Sequence, residues 1–169
     1  TGYTGENGFE LIVPSESAPD IWSRLTERGV TPCGLGARDV LRLEAGLLLH
    51  GNDMNTSINP YEAGLDRFVD PDRAAYVAGA TLRRIRDEGV ARRIVGFNMV
   101  GRGIARHGHP ILDGERVVGQ VSSGSYSPTL DTSIGLGYVP TAFSAVGSRF
   151  HVDIRGRVVP AEVVDLPFY

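Results

Sequence analysis

Glu10 is a carboxylate within an apolar stretch, residues 9–13. Burying a carboxylate is costly unless a cation or a hydrogen-bond donor meets it. If its neighbours face a core, Glu10 points to the opposite side of a sheet and is a solvated strand residue. In a functional interpretation, its two oxygens accept a parallel pair of hydrogen bonds from an amino-pyrimidine edge. The residues alone favour the solvated strand residue.

Arg38 falls in the first turn of a predicted helix, where the helix dipole disfavours a cation by roughly several tenths of a kcal/mol. Asp39 beside it suits that end and compensates the charge. A guanidinium in this place directs its planar fork at a ligand or at a partner carboxylate. A salt bridge is the more common of these two arrangements.

Other reactive groups point to no specific chemistry. His107 and His109 have too few companions for a metal site, so the sequence predicts no bound metal. The stretch SSGSYSPTL lacks the ending of a phosphate loop and is interpreted as a turn. Thr1 offers an N-terminal nucleophile for an amide hydrolase, but a cut or truncated larger chain is the simpler account. All 17 basic residues are Arg, which excludes Schiff-base catalysis by lysine.

Length and composition predict a soluble globular protein. The 169 residues are 41% hydrophobic and 22% charged, with a net charge of −3, so a nucleic acid is not expected as a partner. No apolar run approaches the roughly 18 residues that would mark a membrane span. The single cysteine, Cys33, excludes an internal disulfide framework and fits a reducing compartment.

The first part of the chain predicts a hairpin followed by helices. Asn7 and Gly8 favour a two-residue turn that would pair Tyr3 with Glu10 on neighbouring strands, the second strand being residues 9–13. Ser17 is expected to cap a helix that ends at Gly29 and covers this sheet.

Three further helices are predicted before residue 90. The segment GLGARDVLRLEAGLLLHGND has a broad apolar stripe and is expected to be one buried helix that ends near Gly51. Asn59, Pro60 and Glu62 form a near capping box for a short helix. A third helical pattern, within residues 71–89, closes at Gly89.

From Ala91 the hydrophobic period changes to two. Six short runs separated by turn signals predict a small antiparallel barrel or sandwich, with a boundary near residues 88–92. The predicted strands are residues 93–97, 110–112, 116–121, 134–139, 150–155 and 158–164.

Five segments together resemble the carboxy-terminal half of the glycine cleavage T-protein (aminomethyltransferase) family. They are TGYTGENGFELIVP, GLGARDVLRLEAGLLLHGND, NPYEAGLDRFV, GQVSSGSYSPTLDTSIGLGYVP and VDIRGRVVPAEVVDLPFY. The resemblance implies an α+β fold, in which residues 1–90 are part of a folate-binding α/β region and residues 91–169 are a six-stranded β-barrel domain. It also implies transfer of a one-carbon unit from the aminomethyl-lipoyl arm of the H-protein to tetrahydrofolate, with release of ammonia.

The same resemblance assigns roles to three residues. Glu10 would hold the pterin edge, Arg38 would be the second polar contact, and Tyr3 would line the folate pocket. The family's catalytic aspartate belongs to an amino-terminal half that does not match this sequence, so no catalytic residue is assigned here. The isolated chain is therefore expected to be weak or inactive as a transferase.

The sequence is also compatible with two other functions. One is the folate module of a dimethylglycine- or sarcosine-type demethylating enzyme. The other is a non-catalytic module that binds folate or docks on a partner such as the H-protein. The iron–sulfur and RNA-linked relatives carry a cysteine signature that is not found around Cys33. A bacterial cytoplasm is the expected setting, or a mitochondrial matrix if the source is eukaryotic.

Overall fold

The second half of the chain forms a closed antiparallel barrel of six strands. The computed structural model describes residues 2–73 and 76–169. Around the barrel the order is β1-β4-β3-β2-β5-β6. The strands are β1 (Arg92–Met99), β2 (Pro110–Asp113), β3 (Arg116–Ser127), β4 (Thr132–Pro140), β5 (Arg149–Ile154) and β6 (Arg157–Val164). All six predicted strands and the α+β class are thereby confirmed.

Alternating side chains fill the barrel interior. Phe97 of β1 and Phe150 of β5 meet edge to face, with ring centroids 5.4 Å apart. Aliphatic residues from all the strands surround this pair. Strand β5 ends one residue earlier than predicted, because Arg155 and Gly156 both take positive φ (57° and 85°) and form the turn to β6.

The prediction of a turn over SSGSYSPTL is wrong for its first half. Residues 122–127 continue β3, and the chain turns only after Ser127. Ser122, Ser123 and Ser127 are buried there with hydroxyl groups that bond to charged residues outside the barrel. The hydroxyl-rich stretch pairs with β4 as a strand, and its hydroxyl groups satisfy charges that are buried against it.

Three α-helices precede the barrel: α1 (Ala18–Glu27), α2 (Leu35–Glu44) and α3 (Gly79–Glu88). Helix α1 begins after Ser17 as predicted, but the Ser17 side chain makes no capping bond. The expectation that α1 covers a sheet is wrong, since none of its residues is buried and Trp22 is 58% exposed. No sheet among the described residues lies against its apolar face.

Helix α2 is shorter than the apolar pattern predicts. It ends at Glu44, and Gly46 takes a positive φ of 69°. The Leu47 amide donates to the Arg42 carbonyl at 2.8 Å and the Gly46 amide to the Leu43 carbonyl at 2.9 Å. This pair of bonds is a Schellman motif, which satisfies the last carbonyls and stops the helix. The apolar residues after Gly46 belong to a loop and not to the helix.

The predicted capping box at Asn59 forms. The Glu62 carboxylate accepts from the Asn59 amide, and the Glu62 amide donates to the Asn59 side chain, each at 3.0 Å. The segment makes a hydrogen-bonded turn and no helix of its own, contrary to the prediction. Glu62 also pairs with Arg92 at the start of β1, with 2.8 Å between Nε and Oε1, so this turn is fastened to the barrel.

The predicted hairpin at Asn7 and Gly8 is wrong. Neither residue takes a positive φ, which a type I′ turn requires, and residues 9–13 form no strand. The chain instead turns at Gly5, with φ of 77°. A Cβ on Gly5 would lie 2.5 Å from the Cβ of Ala45, so the first segment packs against the end of α2.

Helix α3 closes at Gly89 as predicted, but it begins at Gly79, later than the pattern implied. Residues 74–75 of the predicted helical segment lie outside the described residues, as does Thr1 and with it the N-terminal nucleophile hypothesis. The described part of the chain contains no helix with the length and apolarity needed to cross a membrane.

Gly119→Ala is expected to destabilise the barrel by about 1–3 kcal/mol. A Cβ at this position would lie 2.0 Å from the Tyr138 carbonyl oxygen, which is backbone and cannot move aside alone. Gly36→Ala is the control, because no atom lies within 4 Å of its Cβ position and alanine favours a helix. Urea unfolding measures both. A Gly119→Ala midpoint equal to that of the parent chain would contradict the prediction.

Candidate functional site

A buried guanidinium, that of Arg42, lies where α2 meets the barrel. The residue is 2% exposed. Its Nε donates to Asp39 at 2.8 Å, and Nη1 donates to Asp53 at 2.6 Å and to the Leu47 carbonyl at 3.2 Å. Nη2 donates to the Ser123 hydroxyl of β3 at 2.9 Å. Burial lowers the pKa of Arg42, but the bonds and charges of Asp39 and Asp53 outweigh it, so that the net shift is upward.

Asp53 is the second centre of this network. It is fully buried, and besides Arg42 it accepts from the Leu49 amide at 2.8 Å and from the Ser122 hydroxyl. The Tyr138 hydroxyl of β4 donates to the Asp53 carbonyl at 2.7 Å. Burial, together with the charge of Asp53, raises the pKa of Tyr138 to about 12. Through these bonds the loop after α2 is fixed to two strands of the barrel.

Glu44 fastens the last turn of α2 to the barrel in a similar way. Its carboxylate, 1% exposed, accepts from the Ser127 and Thr129 hydroxyls. Its carbonyl accepts from the Phe168 amide at 2.9 Å. The carboxyl-terminal segment of the chain is therefore held against the same helix end.

Tyr3 and Arg38, two of the three residues predicted for ligand binding, come together on this framework. The Arg38 guanidinium lies over the Tyr3 ring, 4.5 Å from its centroid, which is favourable cation–π geometry. The Tyr3 hydroxyl donates to the Leu48 carbonyl in the loop after α2. Burial is the main cause that raises the pKa of Tyr3, and Arg42 and Arg38 oppose it. Arg38 lies in the first turn of α2, as predicted.

Tyr3 also lines a largely apolar cavity of about 470 Å³. Its walls come from the loop after α2, from the turn after Asn59 and from the carboxyl-terminal segment. The lining includes Leu47, Leu48, Phe68, Ile94, Leu166 and Pro167. The volume is within the range of about 300–1,000 Å³ that holds small organic molecules. We call this space the Tyr3 cavity.

Glu10 is placed apart from the other two predicted residues. It is exposed, it lies in a segment without regular secondary structure, and it does not line the Tyr3 cavity. No ion pair of the described residues includes its carboxylate. The carboxylate therefore faces solvent.

The two histidines occupy a different part of the surface. His107 lines a polar cavity of about 480 Å³ between the loop after α2 and the barrel. One ring nitrogen, Nδ1, lies 2.9 Å from the Ser122 carbonyl, and Nδ1 of His109 accepts from the Arg106 amide. Within residues 2–73 and 76–169 no group of three or more His, Cys, Asp or Glu side chains is arranged to hold a metal ion.

Sequence reasoning missed the network of Arg42, Glu44 and Asp53. The apolar stripe of α2 was evident, but the charged residues on either side of Leu43 were assigned no partner. The sequence did contain a signal for buried charges. The predicted helix is apolar on two adjoining faces, so Arg42 and Glu44 have little access to water. The partners themselves lie up to 85 residues away along the chain and are not visible from local spacing.

Two family models match the chain. The model described as the glycine cleavage T-protein C-terminal barrel domain matches residues 92–169. The model described as the GCVT N-terminal domain matches residues 1–73. The first of these matches covers the six-stranded barrel, and the second contains Tyr3, Glu10 and Arg38.

Curated relatives and a solved structure agree with these matches. The chain is 50% identical over its whole length to an aminomethyltransferase of Thermosynechococcus vestitus, of which it covers 46%. It is also 50% identical to an aminomethyltransferase of a Synechococcus species, again over 46% of that protein. The crystal structure of the glycine cleavage system aminomethyltransferase T from Bartonella henselae superposes with a TM-score of 0.93 at 35% identity, over 99% of this chain and 48% of that one. The chain thus spans about half the length of these relatives.

Asp53→Asn is expected to lower the free energy of unfolding by about 3–5 kcal/mol, because it removes the buried partner charge of Arg42. Asp20→Asn is the matched control. Asp20 pairs with Arg24 on the exposed face of α1, where an ion pair contributes about 0–1 kcal/mol. Chemical denaturation of both variants measures the difference. Similar losses in the two variants would contradict the assigned role of Asp53.

Proposed function

Because the chain belongs to the glycine cleavage T-protein family, we propose that it binds tetrahydrofolate and takes part in aminomethyl transfer. In this reaction the one-carbon unit leaves the aminomethyl-lipoyl arm of the H-protein and joins tetrahydrofolate, and ammonia is released. The curated relatives are named aminomethyltransferases, which supports a transferase role. The activity, the substrate and the H-protein partner are proposals, because the chain spans about half the length of the relatives that it matches.

The observation that carries the proposal is the pair of Tyr3 and Arg38 at the Tyr3 cavity. A phenol ring that lines an apolar space, with a guanidinium stacked on it, suits a flat ring system bearing polar edges. Tetrahydrofolate has such a pterin, followed by an aromatic ring and a carboxylate tail. The fixed position of both side chains supports binding without a large rearrangement, since α2 and the following loop are held by the Arg42 network.

Glu10 is proposed to hold the amino-pyrimidine edge of the pterin. Its solvent-facing carboxylate has both oxygens available for a parallel pair of hydrogen bonds. It lies outside the Tyr3 cavity, so the pterin would extend from the cavity towards residues 9–13. No catalytic residue is proposed within this chain. Folate is treated as a co-substrate, and no metal is proposed for the reaction.

The proposed division of labour follows the two parts of the chain. Residues 1–90 would supply the folate contacts and a linker helix, and residues 91–169 would close one side of the folate channel as the barrel domain. The cyanobacterial relatives support a bacterial source, for which we propose a cytoplasmic location.

Glu10→Gln is expected to weaken tetrahydrofolate binding by about 1.5–3 kcal/mol, since the pterin donors lose a charged acceptor. Glu16→Gln is the control, because Glu16 is a nearby exposed carboxylate to which no role is assigned. Isothermal titration of the chain with tetrahydrofolate measures both. Equal affinities for Glu10→Gln and the parent chain would remove Glu10 from the site.

Arg38→Lys is expected to weaken tetrahydrofolate binding about fivefold, because an ammonium cannot stack on Tyr3 and present a planar fork at once. Arg28→Lys on the exposed end of α1 serves as the comparison. The same titration applies, with circular dichroism to verify folding. Binding by Arg38→Lys at parental strength would reduce Arg38 to a structural partner of Tyr3.

A further inference from the structure

Among the described residues that line the Tyr3 cavity, Arg67 supplies the single charged side chain. It belongs to a short 3-10 turn, Asp66–Phe68, on the side of the cavity formed by the segment after Asn59. The other described side chains of the lining are apolar, apart from the hydroxyl of Tyr3, and two of the lining residues are glycines. The cavity therefore combines apolar walls with one positive charge.

The Arg67 guanidinium is available to a ligand. It lies over the Phe68 ring, 4.7 Å from the centroid, a contact that orients the guanidinium without neutralising it. The ion pairs found within residues 2–73 and 76–169 do not include Arg67. Phe68 itself is 69% exposed, which leaves aromatic surface beside the charge. A planar guanidinium with free donors binds a carboxylate through two parallel hydrogen bonds.

Two of the aromatic rings that line the cavity each carry an arginine. Arg38 lies over the Tyr3 ring, and Arg67 lies over the Phe68 ring. Arg67 itself lines the cavity, together with aliphatic residues that include Leu48, Ile94 and Leu166. This combination suits a ligand with an aromatic ring for the apolar walls and an anionic group for Arg67.

We propose that Arg67 binds the terminal carboxylate group of an aromatic ligand whose ring occupies the Tyr3 cavity. The proposal rests on folate binding as proposed above, and it names the part of folate that this cavity would hold: the aminobenzoyl ring, with the glutamate carboxylates at Arg67. Arg67 is then the residue that selects a folate over a pterin without a carboxylate tail.

The test uses two small probes that share the ring and differ in charge. N-(4-aminobenzoyl)-L-glutamate carries the carboxylates, and 4-aminobenzamide has none. Binding of each to the 169-residue chain is measured by NMR titration. Arg67→Gln is expected to weaken the glutamate probe about tenfold and to leave the affinity for the benzamide unchanged. Arg67→Lys is expected to bind the glutamate probe more tightly than Arg67→Gln but less tightly than the parent chain, because lysine keeps the positive charge without the planar guanidinium.

Arg84→Gln is the matched control, since Arg84 is an exposed arginine that pairs with Glu88 on α3 and does not line the cavity. It should leave both affinities unchanged. An equal loss of affinity for the two probes in Arg67→Gln would overturn the proposal. It would show that Arg67 supports the shape of the cavity and does not bind the carboxylates. The proposal would also be overturned if Arg67→Gln bound the glutamate probe as tightly as the parent chain does, or if the parent chain did not bind this probe.

A separate titration with tetrahydrofolate distinguishes this proposal from the proposed function. If the parent chain binds the glutamate probe in an Arg67-dependent way but does not bind tetrahydrofolate, the carboxylate site at Arg67 is supported and the proposed folate binding is contradicted. If the chain binds tetrahydrofolate and Arg67→Gln binds it equally well, folate binding stands and the role of Arg67 is refuted.

Discussion

Burial of the Arg42 guanidinium is the constraint on which the remainder of the site depends. A charge removed from water needs a partner of opposite charge and acceptors for its hydrogen bonds. Here those acceptors come from α2 itself, from the loop after it and from β3. Since loss of any one of them leaves a buried donor unsatisfied, the three elements are held in one relative position.

That position determines where the proposed binding residues lie. Arg38 is one turn before Arg42 on α2, and Tyr3 bonds to Leu48 in the loop that Arg42 and Asp53 fix. Glu44 adds the carboxyl-terminal segment, whose Leu166 and Pro167 form a wall of the Tyr3 cavity. The cavity is thus assembled from distant parts of the chain around a polar network, although its own lining is mainly apolar.

The barrel could be predicted from the sequence, and most of the site could not. Alternating residues with turns such as Asp113-Gly114 define strands locally, so all six were found. The end of α2 was placed at Gly51 because the apolar pattern continues through residues 47–49, whereas the Schellman motif at Gly46 depends on φ, which composition does not reveal. Tyr3 and Arg38 were identified by family resemblance, but their stacking and the partners of Arg42 are long-range contacts outside any local pattern.

Glu10 shows how the three predicted residues differ physically. Phe9 and Ile12 beside it are 96% and 100% exposed, and no backbone hydrogen bond among the described residues holds residues 9–13. Fixing this segment on a ligand would cost conformational entropy of about 1–2 kcal/mol for each backbone residue that becomes ordered. Tyr3 and Arg38 carry no comparable cost, because the Arg42 network already orders them. The net contribution of Glu10 to affinity therefore depends on how much of its segment is ordered on binding, whereas that of Arg38 depends on the contact alone.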